Sequence, residues 1–180
     1  MAPSSDPSPD LEPAAQRFER MMCSKRSPRG RRVNVSRCFL KFSCAGTTGR
    51  SRRVMTQMCE VCRAVPPGFQ VLSGDDALAL PLMAVGGRGL ISVASNIVPD
   101  RMAKMIASAL AGDFAAAREE HTALLPLMLV NFIESNPIPV KAGLAILGLL
   151  DEVYRLPMVP PSDASRARIR QVLADLGMLD

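Results

Sequence analysis

Residues 69–76 read Phe-Gln-Val-Leu-Ser-Gly-Asp-Asp, and residues 86–93 read Gly-Gly-Arg-Gly-Leu-Ile-Ser-Val. These two stretches are the most informative part of the sequence about the fold class. Each contains a short run of apolar residues in which polar residues do not alternate with apolar ones. Glycine or acidic residues border each run. The residues between them, 77–85, predict a helix that Gly86 and Gly87 end. Non-alternating strands separated by helices are typical of parallel βα units with buried strands.

Helical patterns lie on both sides of these two predicted strands. Apolar residues at helical spacing predict a helix over Thr56–Val65, before the first strand, and another from about Pro99 to Gly112, after the second. Residues 136–139, Asn-Pro-Ile-Pro, predict a rigid elbow because each proline fixes its own φ and restricts the preceding residue. The remaining predicted helices are one marked by apolar residues from Phe114 to Phe132, one over Val140–Leu150, and a last one after the cap signal Ser162-Asp163.

The composition is split between the two parts of the chain. The 180 residues hold 22 basic and 17 acidic residues, a net charge of +5. Residues 1–55 hold 12 basic and 4 acidic residues among Pro, Ser and Gly, whereas residues 56–180 hold 10 and 13. A segment with this composition and no apolar period is predicted to be disordered, apart from one strand-like patch, Cys38–Phe42.

Composition also excludes several classes of protein. No run of 18 apolar residues predicts a membrane helix, and the first ten residues lack the apolar core of a secretory signal. Few aromatic residues and no Trp argue against an aromatic-rich nucleic-acid module. The five cysteines are odd in number and irregular in spacing, which favours a reducing compartment, the cytoplasm, over a disulfide framework.

Four motifs in a fixed order carry a resemblance to a known family. The chain resembles the C-terminal part of the dihydrodipicolinate synthase family over about residues 56–179. The motifs are Ser-Gly-Asp-Asp at 73–76, Gly-Gly-Arg-Gly-Leu-Ile-Ser-Val at 86–93 with Asn96 following, Asn-Pro-Ile-Pro-Val-Lys at 136–141, and Arg-Leu-Pro-Met at 155–158.

This resemblance implies an α/β fold, a (β/α)₈ TIM barrel closed by extra C-terminal helices. Residues 69–73 would be strand seven and residues 89–93 strand eight, so that residues 56–139 hold the last βα units and residues 140–180 the helical segment. The family is a class I aldolase-type lyase that condenses pyruvate with aspartate semialdehyde in lysine biosynthesis, without a cofactor or metal, as a homotetramer or dimer. Because a barrel needs about 250 residues, the matching region holds only an incomplete barrel.

The resemblance implies two substrate-binding residues at the carboxyl ends of these strands. The residue matching Ile91 lines the pyruvate pocket through its backbone, and the glycine matching Gly74 leaves room near the substrate. The alternative is that both are packing residues only.

No catalytic residue can be assigned from the sequence. The family's Schiff-base lysine lies on strand six, a few residues before the helix that begins near Thr56, and residues 47–53 contain no lysine. Lys41 lies in an apolar patch, where desolvation would favour imine formation, but its 15-residue distance from Thr56 is too long for the family's spacing. Lys141 is expected to be structural, and Lys104 is expected on a helix surface.

Two functions of other classes remain open. Cys59 and Cys62 form a C-x₂-C pair, and Cys38 and Cys44 would complete four ligands for zinc. Such a basic zinc module would bind the phosphates of nucleic acid. Alternatively, the chain regulates or pairs with an intact synthase. Two further features have simpler interpretations: we expect His121 on a solvated helix face, and Asp75 with Asp76 as a helix cap.

The basic segment has three possible origins: translation out of frame or from a mis-assigned start, a transit peptide, or a true regulatory arm. We favour the first, because GC-rich coding sequence read out of frame yields Arg, Ala, Pro, Gly and Ser. The sequence therefore predicts a family fragment that is inactive alone for lack of the lysine. With open strand edges, it is also expected to be marginally stable and prone to aggregate.

Overall fold

The structure, a computed structural model, describes the backbone of residues 37–40 and 48–53 and all atoms of residues 54–179. Strands and helices alternate first, and helices alone follow. The elements are β1 (Arg37–Leu40), α1 (Thr48–Ala64), β2 (Gln70–Ser73), α2 (Ala79–Ala84), a 3₁₀ turn (Ala94–Asn96), α3 (Pro99–Leu110), α4 (Phe114–Val130), α5 (Ile138–Ile146) and α6 (Asp163–Asp175).

The described sheet is parallel and small. β1 pairs with β2 in a register that runs from Arg37 opposite Gln70 to Leu40 opposite Ser73. The predicted strand over residues 89–93 is wrong in extent: it is reduced to one parallel bridge between Ser73 and Leu90. Its backbone leaves the extended conformation at both ends, because Gly89 has a φ of +148° and the 3₁₀ turn begins at Ala94.

Three predicted helix boundaries also need correction. The helix predicted over Thr56–Val65 begins eight residues earlier, at Thr48. The helix predicted over Val140–Leu150 is α5, which starts at Ile138 because Pro139 is tolerated in a first turn, and ends at Ile146. The helix predicted over residues 77–85 is α2, which is shorter at both ends. The strand-like patch predicted at Cys38–Phe42 overlaps β1, which spans Arg37–Leu40. The rest of the segment predicted to be disordered, residues 1–55, contains the first part of α1, and its other residues lie outside the described ones.

Two main cores and a small third cluster, formed by Met83, Ala109 and Ala117, hold these elements together. The larger lies among α3, α4, α5 and α6, where Met105, Leu124, Leu127 and Leu173 are fully buried. In the smaller, Val71 of β2 packs with residues of α1 and α2, including Met58 and Leu82. The sheet is therefore covered by helices on the face to which Val71 points.

A polar network fixes the segment between α5 and α6. Arg166 donates two hydrogen bonds to Glu152, at 2.8 and 2.5 Å, and the Tyr154 hydroxyl donates to Glu152 at 2.9 Å. Burial and the neighbouring Glu152 carboxylate raise the pKa of Tyr154 to about 12. The Lys141 ammonium donates to the Val153 carbonyl and lies 5.1 Å from the centre of the Tyr154 ring. Lys141 thus joins α5 to this segment.

Residues Glu134 and Ser162 attach the start of α6 to the end of α4. The Ser162 N–H and hydroxyl both donate to Glu134, at 3.0 and 2.9 Å, while Ser162 accepts from the Ser165 N–H as the helix cap predicted from the sequence. None of the described helices is long and apolar enough to span a bilayer.

Candidate functional site

The site predicted at Gly74 and Ile91 lies where β2 ends and the Leu90 bridge crosses it. The Ser73 N–H donates to the Gly89 carbonyl at 2.8 Å, and the Ile91 N–H donates to the Ser73 carbonyl at 2.9 Å. Ser73 is fully buried, Gly74 is half-buried, and Ile91 is 56% exposed. The backbone of Ile91 is thus held beside the residue that precedes Gly74, so the two predicted residues are brought together.

Asp76 connects the segment that follows β2 to the segment that follows the Leu90 bridge. Its side chain is 1% exposed, and its Oδ2 accepts hydrogen bonds from the Val93 and Ala94 N–H groups, at 3.0 and 3.1 Å. Its Oδ1 is buried and makes no hydrogen bond within the described part of the chain. Hydrogen bonds from N–H groups to a charged acceptor are among the stronger ones in proteins, so this carboxylate fixes the path of the chain after Ile91.

The prediction that Asp75 and Asp76 cap a helix is wrong. Leu78 occupies the N-cap position of α2 and makes no side-chain cap bond. Asp75 instead closes a local turn, in which its Oδ1 accepts from the Ala77 N–H at 3.0 Å. Burial raises the pKa of Asp75; backbone hydrogen bonds from Ala77 and Leu78 oppose this effect, and the Asp76 charge adds to it. The two aspartates therefore fix the backbone around the predicted site, and they do not cap α2.

His121 also differs from its prediction. It is partly buried rather than solvated, and its Nε2 lies 2.9 Å from the Ala77 carbonyl oxygen. Because a carbonyl only accepts, Nε2 carries the proton and donates. The bond attaches α4 to the turn after Asp76. No local signal could reveal it, since 44 residues separate the two partners.

Glycines shape the loop that enters the site. A Cβ on Gly87 would lie 2.6 Å from the Leu82 Cγ and 2.9 Å from the Leu82 carbonyl oxygen, closer than real contacts allow. Gly89 has a φ of +148°, which favours glycine because side chains clash there. The repeated glycines of residues 86–89 thus let the chain turn against α2 and reach β2.

Neither lysine within residues 54–179 lies at this site. Lys104 pairs with Glu120 at 2.8 Å on the outer side of α3 and is exposed, as predicted. Lys141 lies in the network around Tyr154. Lys41 falls outside the described residues. The described part of the site therefore offers backbone groups, and it contains no lysine amine.

The cysteine pair shows no metal-site geometry among the described residues. Cys59 is exposed and Cys62 half-buried on α1, and burial and the adjacent Cys59 raise the pKa of the Cys62 thiol. No group of three or more His, Cys, Asp or Glu within the described residues is placed to hold a metal ion. The other two predicted ligands, the side chain of Cys38 and all of Cys44, lie outside the description.

Comparison with known proteins identifies the family. Residues 45–176 match the model of the dihydrodipicolinate synthetase family. The chain belongs to this family. A 4-hydroxy-tetrahydrodipicolinate synthase of Koribacter versatilis is 51% identical over 125 residues, which are 69% of this chain and 42% of that protein. The corresponding synthase of Maridesulfovibrio salexigens is 48% identical over 123 residues, covering 68% and 42%.

Solved structures of the same family agree with this assignment. Dihydrodipicolinate synthase from Aquifex aeolicus superposes with a TM-score of 0.69 at 39% identity, over 78% of this chain and 45% of that one. The chloride-inhibited synthase from Acinetobacter baumannii, solved in complex with pyruvate, gives a TM-score of 0.64 at 36% identity, over 73% and 44%. The chain thus spans about two-fifths of the length of the dihydrodipicolinate synthases it matches, which are TIM-barrel proteins.

Proposed function

We propose that residues 56–179 form the C-terminal part of a 4-hydroxy-tetrahydrodipicolinate synthase-like lyase, in which Gly74 and the backbone of Ile91 line the pocket for pyruvate. The observation that carries the proposal is the pair of hydrogen bonds that hold Gly89 and Ile91 beside Ser73. Active sites of TIM barrels lie at the carboxyl ends of the strands, which is where these residues are. The buried Asp76 keeps the second strand end in place.

The proposal also concerns the lyase activity expected of residues 1–180 alone. Class I aldol chemistry needs a lysine amine that forms an imine with pyruvate. The two lysines of the described part lie elsewhere, and residues 47–53, where the resemblance places the Schiff-base lysine, contain none. Residues 1–180 alone are therefore expected to lack lyase activity, while the same C-terminal residues support catalysis when a complete barrel supplies the lysine. We expect the reaction in the cytoplasm, the reducing compartment that the cysteine usage favours.

A chimera tests both parts of this proposal. The N-terminal part of the Koribacter versatilis synthase, including its strand-six lysine, is joined to residues 56–179 within the helix that corresponds to α1. Condensation of pyruvate with aspartate semialdehyde is measured for the chimera and for the 180-residue chain. We expect activity in the chimera only. A folded but inactive chimera would refute the proposed pocket, and an active 180-residue chain would refute the proposal that residues 1–180 alone lack lyase activity.

Within the chimera, Gly74→Leu is expected to raise the KM for pyruvate by about tenfold or more, because the new side chain fills the space beside the substrate. The matched control is Leu149→Ala, since Leu149 is 66% exposed and distant in sequence from the strand ends. Steady-state kinetics at varied pyruvate give both values. An unchanged KM in Gly74→Leu would show that Gly74 is a packing residue only.

A further inference from the structure

Two free cysteines that the proposed pyruvate pocket does not use lie one turn apart on α1. Cys59 is exposed, and Cys62 is half-buried. Residues three apart in an α-helix are neighbours on its surface, and helix geometry places their Cα atoms about 5 Å apart. A disulfide joins Cα atoms that are about 4.4–6.8 Å apart. The two thiols are therefore within reach of each other without any rearrangement of the fold.

The half-buried Cys62 packs against the loop that leads to Ile91. It is part of the smaller core, and a Cβ on Gly86 would lie 3.6 Å from the Cys62 Cβ and 3.9 Å from its Sγ. In a regular helix the Cβ atoms of two residues three apart are about 5–6 Å apart, whereas a disulfide needs about 3.5–4.5 Å. Formation of the bond would therefore distort the turn of α1 that contacts Gly86.

The two thiols differ in reactivity. Burial, and to a smaller extent the neighbouring Cys59, raise the pKa of the Cys62 thiol. Because the thiolate is the nucleophile and Cys59 is the more exposed of the two, we expect Cys59 to react first. Once the Cys59 sulfur is bonded to another sulfur it carries no charge, and one cause of the raised Cys62 pKa is removed. Cys62 then ionises more readily for the second step.

We propose that Cys59 and Cys62 form a reversible disulfide by exchange with a low-molecular-weight disulfide such as glutathione disulfide. The Cys59 thiolate attacks one sulfur of the reagent, whose S–S bond breaks, and one thiol leaves. The Cys62 thiolate then attacks the Cys59 sulfur, the mixed disulfide breaks, and a second thiol leaves. The two cysteines lose two electrons to the reagent, and the two leaving thiols take up the two protons that the cysteines release.

The bond is expected to be easily reduced again. Strain in a disulfide makes it more reducible, and exposed disulfides are among the labile ones. Disulfides of cytoplasmic proteins are usually of this transient kind. Neither cysteine contributes to the proposed pyruvate pocket, so the disulfide is independent of the proposed function.

Thiol exchange in the full 180-residue chain tests the disulfide. Trypsin releases residues 54–63 as one peptide, which holds Cys59 and Cys62 and no other cysteine. The chain is incubated with glutathione disulfide, its remaining thiols are blocked with iodoacetamide, and this peptide is analysed by mass spectrometry. We expect the peptide to carry an internal disulfide, which dithiothreitol reduces before the blocking step.

Two serine variants separate the steps of the exchange. Cys62→Ser is expected to accumulate glutathione on Cys59, because no second thiol resolves the mixed disulfide. Cys59→Ser is expected to take up glutathione at Cys62 about tenfold or more slowly, because that thiol is half-buried. In concentrated urea, where neither thiol is buried, we expect the two variants to react at similar rates.

Three results would overturn the proposed disulfide site. The first is a peptide that stays a dithiol, or that carries glutathione without an internal disulfide. The second is equal rates at Cys59 and Cys62 in the absence of urea. The third is a difference between the two rates that persists in urea, since its cause would then lie in the local sequence and not in the packing of Cys62 against Gly86.

Discussion

Asp76→Ala is expected to lower the free energy of unfolding by about 3 kcal/mol, because two N–H groups lose a charged acceptor and one of them is buried. The acceptor Oδ2 receives hydrogen bonds from Val93 and Ala94, 17 and 18 residues along the chain. Without it, the Val93 and Ala94 N–H groups lose their hydrogen bonds to the segment that follows β2. Urea denaturation followed by circular dichroism measures the loss.

The matched control for this variant is Asp113→Ala. Asp113 also accepts a backbone N–H through its carboxylate, at 3.0 Å from Ala116, but it does so at the exposed N-cap of α4. Loss of such a cap costs about 1 kcal/mol. Equal losses in the two variants would contradict the view that Asp76 fixes the second strand end.

Gly87→Ala is expected to cost about 3 kcal/mol, at the upper end of what overpacking costs in a core. The new Cβ would overlap the Leu82 side chain, whose Cγ lies 2.6 Å away, and also the Leu82 backbone, which rotamer changes cannot move. The Gly87 N–H donates to that same Leu82 carbonyl at 2.8 Å, so the loop has little freedom to withdraw. The same denaturation experiment measures the effect.

Gly68→Ala separates the clash from ordinary backbone strain. Gly68 has a φ of +83°, which costs an L-residue about 1 kcal/mol, and a Cβ there would meet nothing within 4 Å. We expect Gly87→Ala to lose clearly more stability than Gly68→Ala. The reverse order would show that the loop before Ile91 adapts to a side chain, and that its glycines are not required for the turn.

The spacing of apolar residues and the capping residues at helix ends predicted much of the helical part of the fold. The stripe that includes Met102, Met105 and Ala109 is enough to predict α3, and Ser162 marks the start of α6. The strand ending at Ser73 is also predicted correctly, because its apolar run is bounded by glycine and acidic residues. Each of these signals lies within a few residues of the element that it predicts.

Features that depend on distant partners were missed or misread. Asp76 resembles a cap in sequence, yet its partners are Val93 and Ala94, so only the folded chain shows its role. The contact of His121 with Ala77 is another such case. The start of α1 at Thr48 was missed for a different reason: residues 48–53 read Thr-Gly-Arg-Ser-Arg-Arg and carry no apolar period.

The proposal that residues 1–180 alone cannot form an imine with pyruvate has the most direct test. The purified 180-residue chain is incubated with pyruvate and borohydride, which reduces an imine to a stable amine, and is examined by mass spectrometry of the intact protein and its peptides. The Koribacter versatilis synthase, treated in parallel, serves as the positive control. We predict a pyruvate adduct on the control and none on this chain. An adduct on any lysine of the chain, Lys41 included, would contradict the proposal that residues 1–180 alone cannot form the family's imine.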